Sequence, residues 1–174
     1  MRIAINGGHC PGKDSGAVGE TGLQEAYVTH DLMQLLSYYL QQANFETIQI
    51  QENELQEICD QSNQFGAELF LSIHCNSAES RDAQGTETFC LTTFSEAGNL
   101  ARYIQSQIVS SLGTVDRGVK VDRFYVLRHT DCPAVLIECA FISNSDDEIL
   151  LASEQGRDDI VHAIARGITD YVAK

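Results

Sequence analysis

Residues 69–74 read Leu69-Phe70-Leu71-Ser72-Ile73-His74, and residues 134–138 read Ala134-Val135-Leu136-Ile137-Glu138. Both are short apolar runs without the alternation of a half-exposed strand, a pattern typical of parallel strands that are covered on both faces. Each run ends on a side chain capable of acid–base or metal chemistry. The two segments therefore predict a parallel sheet with functional groups at the carboxyl ends of its strands.

Strand-like and helix-like segments alternate around these two runs. The patterns predict further strands at residues 2–6, 45–50, 86–91 and 124–127, helices at residues 23–43, 52–65, 95–112 and 158–172, and a helix opening at a capping box over residues 145–148. Such alternation predicts an α/β sandwich with a mostly parallel sheet. No repeat or linker interrupts the pattern, so we expect residues 1–174 to form a single domain without a separate anchoring module.

The composition is that of an acidic globular protein. Lys plus Arg total 11 and Asp plus Glu total 25, which gives a net charge of −14. This charge disfavours binding to nucleic acid, because neutralising a phosphate backbone requires Lys and Arg. No apolar run is long enough to span a bilayer, and the six cysteines contain no CxxC pair. We therefore expect no membrane span, and reduced thiols used as small core residues.

Four ionisable residues lie in apolar or glycine-rich surroundings, where folding alone does not account for them. His9 follows the first strand and two glycines, which permit a sharp turn and close approach to a ligand. His74 and Glu138 close the two apolar runs. Glu25 stands three residues before Val28 in a helical pattern, a spacing that places its carboxylate on the apolar stripe facing the sheet.

A divalent metal would account for these four residues together. A buried carboxylate without a partner is costly, and a cation compensates for it. Two imidazoles and one carboxylate form a common catalytic zinc set that leaves one position for water. We therefore assign His9, Glu25 and His74 as metal ligands, which leaves Glu138 as the acid–base group.

Each assignment has a structural alternative. A histidine at a strand end is often a satisfied structural residue, and Glu25 would complement the dipole at the start of a helix. Glu138 would be a buried ion-pair partner if Arg117, Arg123 or Arg128 reached it. The scattered His and Glu residues leave these alternatives open.

The same segments resemble zinc-dependent N-acetylmuramoyl-L-alanine amidases of the amidase-3 type. Asn6-Gly7-Gly8-His9 and the following loop are similar to the family's opening strand and first zinc histidine, and Ser72-Ile73-His74 is similar to its second histidine segment. The remaining similar segments are residues 22–25, 85–88, 117–120, 124–128, 133–138 and 141–144. The resemblance follows the family's order over nearly the full length of the chain.

The resemblance implies a three-layer sandwich, with a twisted, mostly parallel six-stranded sheet flanked by helices. It implies one zinc ion and hydrolysis of the amide between the lactyl group of N-acetylmuramic acid and L-alanine in peptidoglycan. Carried over, His9, Glu25 and His74 bind zinc and Glu138 is the general base. Asn76, Arg128 and His129 are expected to lie at the groove and contact substrate.

The sequence departs from the family pattern near both histidines. Asn6-Gly7-Gly8 replaces the usual Asp-Pro-Gly, so the support of the first imidazole is expected to differ. Cys10 and Cys75 replace the more usual glycine and alanine. A structural Cys₂His₂ zinc site is therefore an alternative, although neighbouring residues in a strand point to opposite faces.

Two further functions compete with the amidase hypothesis. One is a zinc peptidase or deacetylase acting on another cell-wall amide, and the other is a catalytically silent binding module, which the presence of Glu138 disfavours. Met1 runs directly into Arg2–Asn6, too short for the apolar core of a signal peptide. We therefore expect synthesis in the cytoplasm and action on the cell wall after release or non-classical export, as for a phage lysin or a sporulation enzyme.

Overall fold

The computed structural model describes all 174 residues and contains six strands and six helices. The strands are β1 (Arg2–Gly7), β2 (Glu46–Ile50), β3 (Leu69–Asn76), β4 (Thr86–Cys90), β5 (Asp116–Val121) and β6 (Ala134–Phe141). The helices are α1 (Glu25–Gln42), α2 (Leu55–Phe65), α3 (Glu96–Leu112), α4 (Tyr125–His129), α5 (Ser145–Ala152) and α6 (Glu154–Val172). None of the helices combines the length and apolarity needed to cross a membrane.

All six strands form one sheet, in the order β2-β1-β3-β6-β4-β5. Strands β2, β1, β3 and β6 run parallel, whereas β4 pairs antiparallel with β6 and parallel with β5. The carboxyl ends of β1, β3 and β6 therefore lie at the same edge of the sheet as the amino end of β4. The six-stranded, mostly parallel sheet confirms the predicted fold.

Helices cover the two faces of the sheet unequally. The main core contains 27 buried residues and lies under α1, α3, α5 and α6, while a second core of nine buried residues lies under α2 and α4. The second helix layer packs over β1, β2 and β6, so the face of β4 and β5 on this side is less covered. This gives the three-layer sandwich, with an open surface on one side.

Two elements differ from the sequence prediction. The predicted strand at 124–127 is wrong, because these residues belong to the short helix α4, in which Val126 and Leu127 are both buried. Short apolar runs do not distinguish strand from helix by periodicity. The sixth strand is instead β5, whose residues are all exposed or only partly buried, so its sequence carries little hydrophobic signal.

Several boundaries also move. Strand β6 continues to Phe141, so Glu138 lies inside the strand instead of closing it. The cap of α5 is Asn144, not the Ser145 of the predicted capping box, and its side chain accepts hydrogen bonds from the backbone of Asp146 and Asp147. Helix α6 begins at Glu154, four residues before the predicted start.

Candidate metal centre and its cleft

His9 is held at the end of β1 by an unusual backbone conformation. Its φ angle is 61°, in the left-handed region that non-glycine residues rarely occupy. The sharp turn was predicted at the glycines, but the role of Gly8 is to allow close approach, because a Cβ there would collide with the ring of His74. The Nδ1 of His9 donates to Asp14 Oδ2 at 2.7 Å, because a carboxylate can only accept.

Glu25 begins α1 and is 3% exposed. Its Oε2 accepts a hydrogen bond from the backbone N–H of Ala17, and its Oε1 accepts one from the backbone N–H of Cys75, both at 3.0 Å. The carboxylate also contacts the two imidazoles: His74 Nδ1 lies 3.0 Å from Oε1, and His9 Nε2 lies 3.2 Å from Oε2. The carboxylate is therefore buried, fixed by backbone donors and directed between the two histidines.

His9, Glu25 and His74 form one compact cluster, called the histidine cluster below. Their nitrogen and oxygen donor atoms all lie within 4.8 Å of one another. The two rings meet edge to face, with centroids 5.4 Å apart. Gly16 leaves room for the cluster, because a Cβ there would lie 2.6 Å from Glu25 Oε2. The structure thus brings together three residues that are distant in sequence.

Electrostatics couple the members of the histidine cluster. The hydrogen bond to Glu25 raises the pKa of His9 to about 9, against a smaller opposing effect of burial. Burial alone would raise the pKa of Glu25, but hydrogen bonds from His74 and His9 hold that pKa far below its ordinary value. In the absence of a metal, His9 is therefore an imidazolium that donates from both nitrogens.

Glu138 stands beside this cluster with a different environment. It is in register with His74 on β3, and its Oε2 is buried without a hydrogen-bond partner. Burial raises the pKa of Glu138 to about 7. A carboxyl group with this pKa exchanges a proton readily near neutral pH.

The ion-pair alternative for Glu138 is not what the structure shows. None of Arg117, Arg123 and Arg128 forms a salt bridge with it, and Arg117 pairs with Glu87 instead. One carboxylate oxygen of Glu138 is therefore left without a partner in the protein.

A cavity of about 250 Å³ opens at these residues. Its polar lining includes His9, His74 and Glu138, and its apolar lining comes largely from α2, α4 and the preceding loop: Leu55, Ile58, Phe124, Tyr125 and Val126. A larger surface groove of about 650 Å³ between α1 and α6 contains no histidine and no buried carboxylate. The smaller cavity is therefore the candidate site, because it joins the histidine cluster to Glu138.

The two cysteines next to the histidines lie outside the cluster. The main core contains Cys75, which is 2% exposed, while Cys10 Sγ lies 3.7 Å from the carbonyl oxygen of Gln51. The structure contains one group of three or more potential metal ligands, and neither cysteine belongs to it. The arrangement therefore disfavours the Cys₂His₂ alternative.

The three residues predicted to contact substrate lie apart from the histidine cluster. Asn76 donates from Nδ2 to Glu87 Oε1 at 2.8 Å. Arg128 and His129 are exposed on α4, where the ring of His129 stacks on Tyr125 at a centroid distance of 3.9 Å. Neither α4 residue lines the cavity, so their role in substrate binding stays a prediction.

Sequence reasoning overlooked Asp14, the partner of His9. The signal was present, since Asp14 lies five residues after His9 in the same glycine-rich loop. It also overlooked the neighbours of Glu87, since no pattern within β4 or β5 indicates that side chains of these two strands meet.

The donor set is suited to a divalent cation. It consists of two imidazoles and one carboxylate, and Asp14 orients one of the imidazoles.

Comparison with known proteins agrees with this geometry. The family described as N-acetylmuramoyl-L-alanine amidase matches residues 3–170. The amidase LytC of Bacillus subtilis is 37% identical over 175 residues, covering 97% of this chain and 35% of LytC, so the chain spans about a third of that relative's length. Among solved structures, amidase AmiC2 of Nostoc punctiforme superposes with a TM-score of 0.94 at 30% identity, covering 100% of this chain and 98% of AmiC2. The catalytic domain of the amidase CwlV, from Bacillus (Paenibacillus) polymyxa var. colistinus, has a TM-score of 0.92 at 30% identity, covering 99% of this chain and 98% of that chain.

Proposed function

Since this chain belongs to the N-acetylmuramoyl-L-alanine amidase family, we propose that residues 1–174 act as one zinc-dependent catalytic domain. In this proposal the domain hydrolyses the amide between the lactyl group of N-acetylmuramic acid and L-alanine in bacterial peptidoglycan, and its place of action is the cell wall. The observation that carries the proposal is the convergence of His9, Glu25 and His74 beside a partnerless Glu138.

In this proposal His9, Glu25 and His74 hold one zinc ion. The fit rests on three donor atoms within 4.8 Å of one another, on the fixed direction of Glu25 and on the space that Gly8 and Gly16 leave. When bound, zinc supplies Lewis acidity, which polarises a carbonyl group and lowers the pKa of water. Asp14 fixes the His9 ring through Nδ1 and leaves Nε2 for the metal.

Glu138 moves the proton. Its buried carboxylate has a pKa near 7, so it accepts a proton from the attacking water and returns it to the departing amide nitrogen. The unpartnered Oε2 is the atom on which that proton travels. The apolar wall contributed by α2 and α4 limits access of bulk water to this oxygen.

We also propose roles in substrate binding for three residues outside the cavity lining. Arg128 and His129, exposed on α4, would meet parts of the substrate that extend beyond the cavity. Asn76 would act through its hydrogen bond to Glu87.

Digestion of purified peptidoglycan, with products identified by mass, tests the proposal. The expected result is peptide with a new N-terminal L-alanine and an intact sugar strand, with activity lost in chelator and restored by added zinc. Release of acetate would indicate a deacetylase, and cleavage inside the stem peptide would indicate a peptidase. Either result, or full activity in chelator, would contradict the amidase proposal.

A further inference from the structure

A second charged group lies on the other side of Glu138 from the histidines. Glu87 on β4 is in register with Glu138 on β6, so the two side chains share one face of the sheet. The Glu87 side chain is 6% exposed and accepts hydrogen bonds from Arg117 Nε at 2.7 Å and from Lys120 Nζ at 2.5 Å. We call Glu87, Arg117 and Lys120 the cationic cluster.

The cationic cluster faces the open side of the sheet. Thr88, the next residue of β4, bonds through Oγ1 to Gln105 of α3 on the opposite face, so Glu87 points away from α3. On β5, Val119 packs against the main core, and the adjacent Lys120 reaches the other face, with Nζ 5.9 Å from the ring centroid of Phe89. Helices α2 and α4 pack elsewhere, over β1, β2 and β6.

The charges of this cluster do not balance. One carboxylate faces two permanent cations, which leaves one positive charge in excess within a chain of net charge −14. Glu87 is covered, but the side chains of Arg117 and Lys120 are 34% and 39% exposed. Within the cluster, Glu87 neutralises one of the two cations, before the neighbouring carboxyl group of Glu138 is counted.

Several donors of the cluster are also free. Besides its bond to Glu87, Lys120 has two further N–H groups without a recorded partner. The Nη1 of Arg117 makes a long 3.5 Å contact with the carbonyl oxygen of Gln84, and its guanidinium packs 4.7 Å from the ring centroid of Phe141. Stacking on an aromatic ring fixes the plane of the guanidinium without using its donors.

The position of Glu138 indicates which part of a substrate would meet these donors. Glu138 is flanked by His74 on β3 and by Glu87 on β4. In the proposed reaction the acyl carbonyl lies on the histidine side, and Glu138 returns its proton to the leaving nitrogen. A leaving peptide that continued in this direction would pass Glu138 and meet Arg117 and Lys120, which lie beyond the cavity lining.

We propose that the cationic cluster is a subsite for a free carboxylate on the leaving peptide, one or two residues beyond the scissile nitrogen. This inference rests on the proposed amidase function and adds a specificity for the charge of the peptide. Arg117 and Lys120 would contact the carboxylate, while Glu87, itself held by a hydrogen bond from Asn76, fixes the two cations. An otherwise acidic protein would thereby select an anionic peptide at one local point.

Two synthetic substrates test the subsite, identical except that the second residue of the leaving peptide carries either a free carboxylate or a carboxamide. Wild-type protein should favour the carboxylate about tenfold in kcat/KM, mainly through KM, as expected for one charge-assisted hydrogen-bonded contact. Lys120→Met should reduce the preference to less than about twofold, while Lys120→Arg should retain most of it. Arg166→Met, which removes an exposed cation from α6, should leave it unchanged.

The outcomes separate the two proposals. Cleavage of both substrates with equal kcat/KM by wild-type protein would overturn the subsite and leave the amidase proposal intact. Cleavage of neither would overturn the amidase function, and the subsite with it. A preference that survives in both Lys120→Met and Arg117→Met would also overturn the subsite. Because each preference is a ratio within one variant, a general loss of activity or folding does not imitate the expected result.

Discussion

The two sides of Glu138 stabilise buried carboxylates by different means. On the histidine side, Glu25 is surrounded by imidazoles and backbone N–H groups. On the other side, Glu87 is held by a guanidinium and an ammonium group. An imidazole exchanges its proton for a metal near neutral pH, whereas guanidinium and ammonium groups keep their charge. The histidine side is therefore suited to binding a cation, and the cationic side to binding an anion.

Glu138 lies between these sides and has neither kind of partner. Its buried Oε2 accepts no hydrogen bond, and burial raises the pKa of Glu138 to about 7. An uncompensated buried carboxylate destabilises a fold, so its presence beside the histidine cluster is typical of a functional group. Under the proposed function, the three neighbouring carboxylates have separate roles: metal binding for Glu25, proton transfer for Glu138 and support of fixed cations for Glu87.

The largest expected effect follows from removing the proton acceptor. Glu138→Gln should lower the rate of amide hydrolysis about 10³-fold, in the range typical of a lost general base. Zinc content should stay at the wild-type level, because the histidine cluster remains intact. Steady-state kinetics and elemental analysis of the same sample provide the measurements. Activity above about a tenth of wild type would contradict the base assignment.

A smaller effect is expected from changing Asp14, the residue that supports the His9 ring. Asp14→Asn should weaken zinc binding about 10- to 100-fold, because a neutral amide orients and polarises the imidazole less well than a carboxylate. Lys120→Met should leave the zinc Kd unchanged, because the cationic cluster has no part in metal binding. Competition with a chelating dye measures both variants. An equal loss of zinc affinity in the two variants would contradict separate roles for the histidine side and the cationic side of Glu138.

The pH dependence of metal binding gives a further test. Glu25 raises the pKa of His9 to about 9 in the metal-free protein, so a proton occupies Nε2 at neutral pH. A metal must displace this proton, and its apparent affinity should fall with decreasing pH below about 9, by about tenfold per unit for one proton. Titrations at pH 7 and pH 8 check the slope. An affinity that does not change over this interval would contradict proton displacement at His9.

The sequence correctly predicted the strands that are buried within the sheet. The apolar runs 69–74 and 134–138 are strands, and they carry His74 and Glu138 into the cleft. The sixth strand was misplaced, because β5 is an edge strand with a polar sequence. The convergence of His9, Glu25 and His74 was predicted from residue chemistry and from the family resemblance, and the structure brings the three together; their role as metal ligands stays a prediction. The cationic cluster was not predicted, because a contact between Glu87 and residues 30 or more positions away depends on strand order.

The smallest expected effect is on the free energy of unfolding and concerns Glu148, a carboxylate that accepts hydrogen bonds from neutral donors. Glu148 accepts hydrogen bonds from the backbone of Glu20 and from the backbone and hydroxyl of Thr21, which anchors the loop that follows His9. Burial alone would raise the pKa of Glu148, but these bonds hold it below its ordinary value. Glu148→Gln should destabilise the protein by about 1–2 kcal/mol at pH 7, since the amide satisfies fewer of the donors.

The sign of the pH effect on this variant follows from the lowered pKa. The stabilisation by Glu148 is present above its ordinary pKa and is lost as pH falls through the lower folded-state pKa. Urea unfolding should therefore show a difference between wild type and Glu148→Gln that shrinks in acid. A difference that grows in acid would show that the carboxylate does not act in its ionised form.

Calorimetric titration of zinc into metal-free wild type and Glu25→Gln tests the metal centre itself. We expect one zinc ion per wild-type chain, and affinity at least about 100-fold weaker in Glu25→Gln, because losing a ligand costs more than losing its support. Unfolding curves confirm that the variant is folded. Absence of zinc binding by the wild-type protein, or equal affinity in the two proteins, would contradict a metal centre formed by His9, Glu25 and His74.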